Sequence, residues 1–406
     1  MDAHKVGNRF ILILILGLLA AIGPFSIDMY LPAFPAIAKS LNTSIEKVQL
    51  SLSSFFIGIS VGQLAYGPLL DRYGRKVPMY FGIIIYLLAS VGCAVAGNAD
   101  LLIVLRFVQA LGACVGIVGS RAMIRDLFPV KESAKMFSLL LLVIAVSPMI
   151  APTVGGIVTT TLGWHSVFVI LAVVALLICL AMHFFLPESR KPDPAFSLKP
   201  KPILTNFYSV IKEPQFYTYA IAGCIGAAGQ YAFIAGSPYV VMEYFGVSEQ
   251  YYGWIFAFNI AGLIGFSQLN GILLKRYSSQ QLIFSLQPVQ ALIAVTALAG
   301  AYFGWLNLPL LCMLMFAFLS LQGILFPNAS ALSIAPFHNN AGSASALLGA
   351  FQMGFGALSS ASITLFKSHN AVPMTAVIAT CSCISVAILL VAQYRIKNNM
   401  STLAMD

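Results

Sequence analysis

The sequence predicts an all-α membrane protein of twelve transmembrane helices in two six-helix bundles, and three observations carry that expectation. Only 9% of the 406 residues are charged, against roughly a quarter in soluble domains, so a soluble fold could not clothe its surface. The apolar share of 59% excludes disorder, which needs low hydrophobicity and high charge. The apolar residues also fall into twelve runs of about 20, the length that crosses a hydrocarbon core. A β-barrel would instead show alternating stretches of about ten residues.

Taken in order, the first run covers 10–34. It follows the short polar start Met1–Arg9, with no small-residue cleavage site and soluble domain to mark a removable leader. Pro24 and Pro32 lack an N–H, so the carbonyls of Ala20 and Asp28 lose their helical partners and the run should be weakened on both sides of Asp28. The second run, 48–70, leads through a polar turn into the third, 77–97. The fourth, 101–121, carries Arg106 and ends at Arg121 and Arg125. The fifth, 136–159, holds Pro148 and Pro152, which should kink it, and Gly155 and Gly156, which leave room for another backbone.

The sixth run, 164–186, opens into the longest polar stretch, 187–214, with Pro187, Pro192, Pro194, Pro200 and Pro202. Runs seven to twelve follow at 216–242, 251–274, 281–303, 308–334, 343–366 and 372–394. The chain thus divides into an N-terminal bundle at 1–186, a linker at 187–214 and a C-terminal bundle at 215–406. A repeat supports the division. Gly67-Pro-Leu-Leu-Asp-Arg-Tyr73 after the second run matches Gly271-Ile-Leu-Leu-Lys-Arg-Tyr277 after the eighth at Gly, both Leu, Arg and Tyr. Duplicated bundles of this kind carry a substrate path between the halves near the midplane.

Net charge is +9, from 22 basic and 13 acidic residues. In so apolar a chain this reads as cationic cytoplasmic loops rather than as a nucleic-acid surface. With the N-terminus inside, Lys39, Lys47 and Lys367 face outward and Arg106 lies in a run, which leaves 18 of the 22 basic residues on the inner side. That bias places both termini and the linker in the cytoplasm. The seven cysteines all lie in apolar runs, without metal-ligand spacing to histidine, and read as buried free thiols.

Asp28 is the only acid inside a predicted run, and Arg106 the only base away from the run ends. Each costs about 3 kcal/mol or more in the membrane core, which makes both candidates for function. A buried carboxyl has the chemistry of a proton carrier, which makes Asp28, with Arg106, the candidate proton-coupling residues. The alternative is a pair that merely ties two spans together. Tyr30, Gln230, Tyr231, Asn259, Gln322 and Gln352 are polar groups within the runs that could line a mostly apolar substrate site, or else bond between helices.

The stretch Gly67-Pro-Leu-Leu-Asp71-Arg72-Tyr-Gly74-Arg75-Lys76 resembles the signature of the major facilitator superfamily between spans two and three. Arg106-Phe-Val-Gln109-Ala-Leu-Gly112 is similar to its span-four pattern, with Ala110 where Gly is usual. Pro148-Met-Ile-Ala-Pro152-Thr-Val-Gly155-Gly156 is similar to its antiporter motif, with Ala151 for the first Gly. Pro24-Phe-Ser-Ile-Asp28-Met-Tyr-Leu-Pro32, Arg121-Ala-Met-Ile-Arg125-Asp126 and Leu186-Pro-Glu-Ser resemble the Bcr/CflA group of drug exporters.

The resemblance covers the whole chain and implies export of small, largely apolar drugs in exchange for protons across the bacterial inner membrane. The implied partners are drug, protons and bilayer. No cofactor beyond the proton gradient, no metal, no nucleic acid and a monomeric state are expected. It further implies that Asp71, with Gly67, Arg72, Gly74, Arg75, Arg121 and Arg125, forms a cytoplasmic gate against the start of span eleven. A sugar or metabolite exporter of the same fold is the rival reading. A membrane enzyme would need clustered catalytic or metal-binding residues, and the five histidines are dispersed.

Overall fold

The computed structural model describes residues 9–194, 198–337, 340–366 and 370–403. Lys5 and Lys367 of the charge count, and His4, His338 and His369, lie outside them. The side chains of Arg9, Lys131, Arg395 and Lys397 are likewise outside what is described. Among the described residues the chain is helical without strands, and twelve helices are long and apolar enough to cross a membrane.

The first span breaks at Pro32, whereas the helix continues through Pro24. Helix α1 (Arg9–Asp28) stops at Asp28, a turn and the 3-10 segment Leu31–Ala33 follow, and α2 (Phe34–Ser40) completes the crossing. Pro32 cannot donate to the Asp28 carbonyl, which is why the helix ends there. Then come α3 (Ile45–Tyr73), α4 (Lys76–Ala94), α5 (Ala99–Leu127), α6 (Val130–Leu162) and α7 (His165–Phe185). A short helix, α8 (Pro200–Ile211), precedes α9 (Pro214–Pro238), α10 (Glu249–Leu273), α11 (Ser279–Tyr302), α12 (Leu308–Ile334), α13 (Ala341–Ile363) and α14 (Val372–Leu403).

Starts and stops follow local chemistry. The side chains of Ser44, Asn98, Ser278 and Asn307 accept a backbone N–H at the starts of α3, α5, α11 and α12, and Ser278 with Gln281 forms a reciprocal capping box. Gly74 and Gly163 end α3 and α6 at φ +81° and +82°, a backbone region that side chains disfavour. Several helices run past the apolar limits read from the sequence, because hydrogen bonding continues where hydropathy has ended. Asp71, Arg72, Arg121 and Arg125 therefore lie on the last turns of α3 and α5 rather than in loops.

Backbone proximity groups Met1–Ile203 with Val241–Ala257 in one unit, and Leu204–Val240 with Phe258–Asp406 in the other. The segment 241–257 joins the first unit by close packing. A side chain on Gly253 would meet the Thr153 backbone at 2.6 Å, and one on Gly156 the Glu249 carbonyl at 2.6 Å.

Inside each unit the helix pairings repeat. In the first, α1 packs on α5, α6 and α7, and α4 on α5 and α7; in the second, α9 packs on α12, α13 and α14, and α11 on α12 and α14. The duplication reaches single residues. Gly58 lets α3 meet α5 at Phe107 and Ala110, and Gly262, at the repeat-equivalent place, lets α10 meet α12 at Ser320 and Phe316.

Candidate functional site

Three groups of polar side chains stand out against the apolar background. The first surrounds the break in span one. Asp28 is buried at the C-terminal end of α1 and makes no hydrogen bond or ion pair with a described residue. Arg106, on α5, is fully buried as well, but it does not pair with Asp28. Its Nη1 donates to Gln109 Oε1 at 2.7 Å and its Nη2 to the Ser26 carbonyl at 3.0 Å. Its Nε has no hydrogen-bond partner among the described residues.

The guanidinium lies among three rings, 4.2 Å from the centroid of Phe55, 4.5 Å from Tyr30 and 5.8 Å from Phe168. Cation–π attraction of about 2 kcal/mol in such dry sites, and a carbonyl at the negative end of α1, take the place of a counter-ion. The Ser26 carbonyl belongs to the last turn of α1, where a helix leaves its acceptors open.

The bonding continues around this centre. Gln109 Nε2 donates to Ser90 Oγ at 2.7 Å, and Ser90 Oγ donates to the Tyr86 carbonyl at 2.7 Å. Ser26 Oγ donates to the Ile22 carbonyl at 2.6 Å, which leaves the Tyr86 hydroxyl to donate to Ser26 at 2.6 Å. Spans one, three and four are thus tied by one polar ring. Tyr30 is fully buried and bonds Ser51 at 2.8 Å, so in this structure it belongs to the wall of the arginine site.

Behind the break lies span five. Pro148 and Pro152 sit inside α6, which continues through both. Gly155 presses on the Met29 carbonyl, next to Asp28, so closely that a Cβ there would overlap it. Gly155 of the antiporter-like stretch therefore seats directly on the helix break.

The second group is at the turn between α3 and α4. Arg75 is 1% exposed. Its Nη1 donates to Asp71 Oδ1 at 2.9 Å and its Nε to Asp126 Oδ2 at 2.7 Å. Burial disfavours the Arg75 charge, but the hydrogen bonds and charges of Asp126 and Asp71 outweigh it and raise its pKa.

The start of the linker straps this turn. The Glu188 carboxylate accepts from the Arg75 and Lys76 backbone N–H groups at 2.8 and 3.1 Å, which caps α4. Arg190 Nη1 donates to Asp71 Oδ1 at 3.1 Å, Ser189 Oγ to Asp126 Oδ2 at 3.2 Å, and Arg72 to the Pro194 carbonyl. Gly74 passes so close to the Arg190 carbonyl that a Cβ would meet it at 3.0 Å. Gly67 has open space around it, and Arg121 and Arg125 are exposed without an ion pair among the described residues.

The third group is in the second unit. Gln290 Nε2 donates to Gln322 Oε1 at 2.8 Å and to the Phe318 carbonyl at 3.2 Å, and it accepts from Gln287 Nε2 at 3.0 Å. Gln322 therefore bonds between α12 and α11, as Gln109 does between α5 and α4. Tyr231 is buried under Gly356, and Asn259 is buried on α10. Gln230 and Gln352 are half-buried and make no hydrogen bond with a described residue.

Of the predicted residues, the structure unites Asp71, Arg72, Gly74 and Arg75 in one cluster, and Arg106 and Tyr30 in another. It does not join Asp28 to Arg106, or Arg121 and Arg125 to Asp71. Sequence reasoning assigned no role to Ser26, Phe55, Tyr86, Ser90, Phe168, Glu188, Arg190, Gln287 or Gln290. Ser26 and Glu188 stood within quoted motifs; the others carried no signal a single sequence can separate from packing.

A family profile described as Major Facilitator Superfamily matches residues 13–361. The Bicyclomycin resistance protein homolog of Haemophilus influenzae is 31% identical over 383 residues, 93% of this chain and 95% of that protein. Multidrug resistance protein D of Escherichia coli is 30% identical over 355 residues, 87% of this chain and 89% of that protein. Among solved structures, a D-xylose-proton symporter superposes with a TM-score of 0.74 at 16% identity, covering 95% of this chain and 97% of that one, which is a likeness of fold alone.

Proposed function

The chain belongs to the major facilitator superfamily, and from that premise we propose that it exports small, largely apolar drugs across the bacterial inner membrane in exchange for protons. The observation that carries the proposal is Asp28: a buried carboxyl with no cation partner among the described residues, set at the break in a spanning helix. Such a break leaves backbone and acid able to line a cavity. An unpaired carboxylate is costly when dry and cheap when wet. A site that alternates between the two exchanges a proton in each cycle, and drug bound on one half-cycle is released on the other. The relatives named for drug resistance support drugs as the cargo, and the family match and the twelve spans support transport rather than catalysis.

The test is a susceptibility panel in a bacterial host lacking its own exporters. Expression of the chain is expected to raise the inhibitory concentration of at least one small apolar antibiotic severalfold, and to do so less when the proton gradient is collapsed. No change for any compound at confirmed expression refutes the reading.

In this reading the Asp71–Arg75–Asp126 cluster and its Glu188–Pro194 strap stand on the cytoplasmic side and act as the gate that seals the inner mouth. A cysteine at Lys191, in a background without native thiols, should react with an impermeant reagent in inside-out vesicles and not in intact cells. Asp71→Asn keeps the side chain's size but removes the charge that Arg75 and Arg190 share, so it should speed that reaction about two- to tenfold. Labelling in intact cells overturns the orientation; an unchanged rate in Asp71→Asn overturns the strap's part in the gate.

A further inference from the structure

Helix α8 lies between the sixth and seventh spans. Its apolar residues are far more one-sided than those of the spanning helices. At 100° per residue they form one arc. One half of the arc, Ile203, Phe207 and Val210, is turned inward, and Val210 is 0% exposed. The other half, Leu204, Tyr208 and Ile211, is 63%, 59% and 39% exposed.

Lys201 and Lys212 follow Tyr208 on the wheel, at the border between the exposed apolar half and the polar face. Lys212 Nζ stands 4.5 Å from the Tyr208 ring centroid. The depth of the helix is set by its neighbour. α8 ends at Ile211 and the span α9 begins at Pro214, with only Lys212 and Glu213 between them. Two residues reach at most about 7 Å, so the C-terminal end of α8 stays close to the start of that span.

We propose that α8 is a membrane-surface helix whose Leu204–Tyr208–Ile211 strip enters the bilayer interface and whose Lys201 and Lys212 bind the phosphates of anionic lipids. The chemistry fits on each count. Tyrosine and lysine are the side chains that mark the membrane–water boundary, with an apolar body below and a polar tip above. An apolar strip bordered by lysines is complementary to an anionic interface rather than to open water or to a neutral apolar protein face. The proposal does not depend on which drug the protein moves.

Amide hydrogen exchange of the full-length protein in nanodiscs holding a single copy tests it. Discs of phosphatidylcholine alone are compared with discs containing phosphatidylglycerol, so both leaflets are equivalent and the outcome is independent of orientation. Exchange across residues 200–211 is expected to be about tenfold slower in the anionic discs, and high salt should erase the difference. Lys201→Gln with Lys212→Gln should also erase it, leaving exchange in the spanning helices unchanged. Equal exchange in the two lipids for the unaltered protein overturns the proposal whether or not the variant folds. Protection that appears only in discs holding two copies overturns it too, and assigns the strip to a second copy of this chain.

Discussion

Asp28→Asn is expected to abolish uphill drug export while the protein still inserts and still binds a neutral drug. Asparagine keeps the shape and polarity of the side chain but cannot carry a proton. Asp28 has no hydrogen bond or ion pair among the described residues to lose, so the substitution leaves the surrounding bonds in place. The Arg106 ring is held by Ser26, Tyr86, Ser90 and Gln109, none of which depends on the Asp28 carboxyl. What disappears is coupling. In proteoliposomes with an imposed pH gradient, the unaltered protein should accumulate drug, whereas the Asn variant should only equilibrate it. Accumulation by the variant at the normal level, with equal protein inserted, would remove Asp28 from the proton path.

The second large effect is expected at Arg106, and here structure and transport should fail together. Arg106→Ala strips the Gln109 oxygen and the Ser26 carbonyl of donors and opens a void among Phe55, Tyr30 and Phe168. Losing charge-assisted bonds in a dry site costs on the order of 3 kcal/mol, before any cavity is counted. The apparent unfolding midpoint in detergent should fall by several degrees.

Arg106→Lys separates charge from geometry. A lysine keeps the cation but lacks the planar fork that bonds two acceptors while stacking on rings. It should recover part of the stability and little of the transport, because the end of α1, and with it Asp28, is no longer held in place. Full transport in the Lys variant would show that the charge alone matters. An unchanged midpoint in the Ala variant would show that the ring of bonds around Ser26 does not hold the break.

Much of this was legible without coordinates, for reasons of local chemistry. The length of an apolar run decides whether it crosses a membrane, so the twelve spans and their order could be read directly, with ends differing by a few residues where helices outrun their apolar stretch. The break after Asp28 could be read because Pro32 acts on a carbonyl four residues away. Gly74, placed in the gate by resemblance, ends α3 at positive φ, where glycine is at ease. The repeat of Gly67–Tyr73 at Gly271–Tyr277 pointed to the duplicated bundles, and the matched packing of Gly58 and Gly262 is its structural counterpart.

Which polar groups meet could not be read, because that depends on how each helix is rotated and on residues far away in the chain. Asp28 and Arg106 are the only acid and base within the predicted runs, and the packing sets Arg106 among aromatic rings and against the Ser26 carbonyl, 80 positions away, while Asp28 makes no ion pair among the described residues. Asp71 bonds Arg75, one turn along its own chain, and Arg190, which comes from beyond the sixth span and could not be foreseen from local sequence. Composition and local backbone chemistry determined where this chain enters the membrane and where its helices break. Only tertiary structure decided which charges are paired, because in a dry interior a side chain bonds to whatever the packing of neighbouring helices brings within reach.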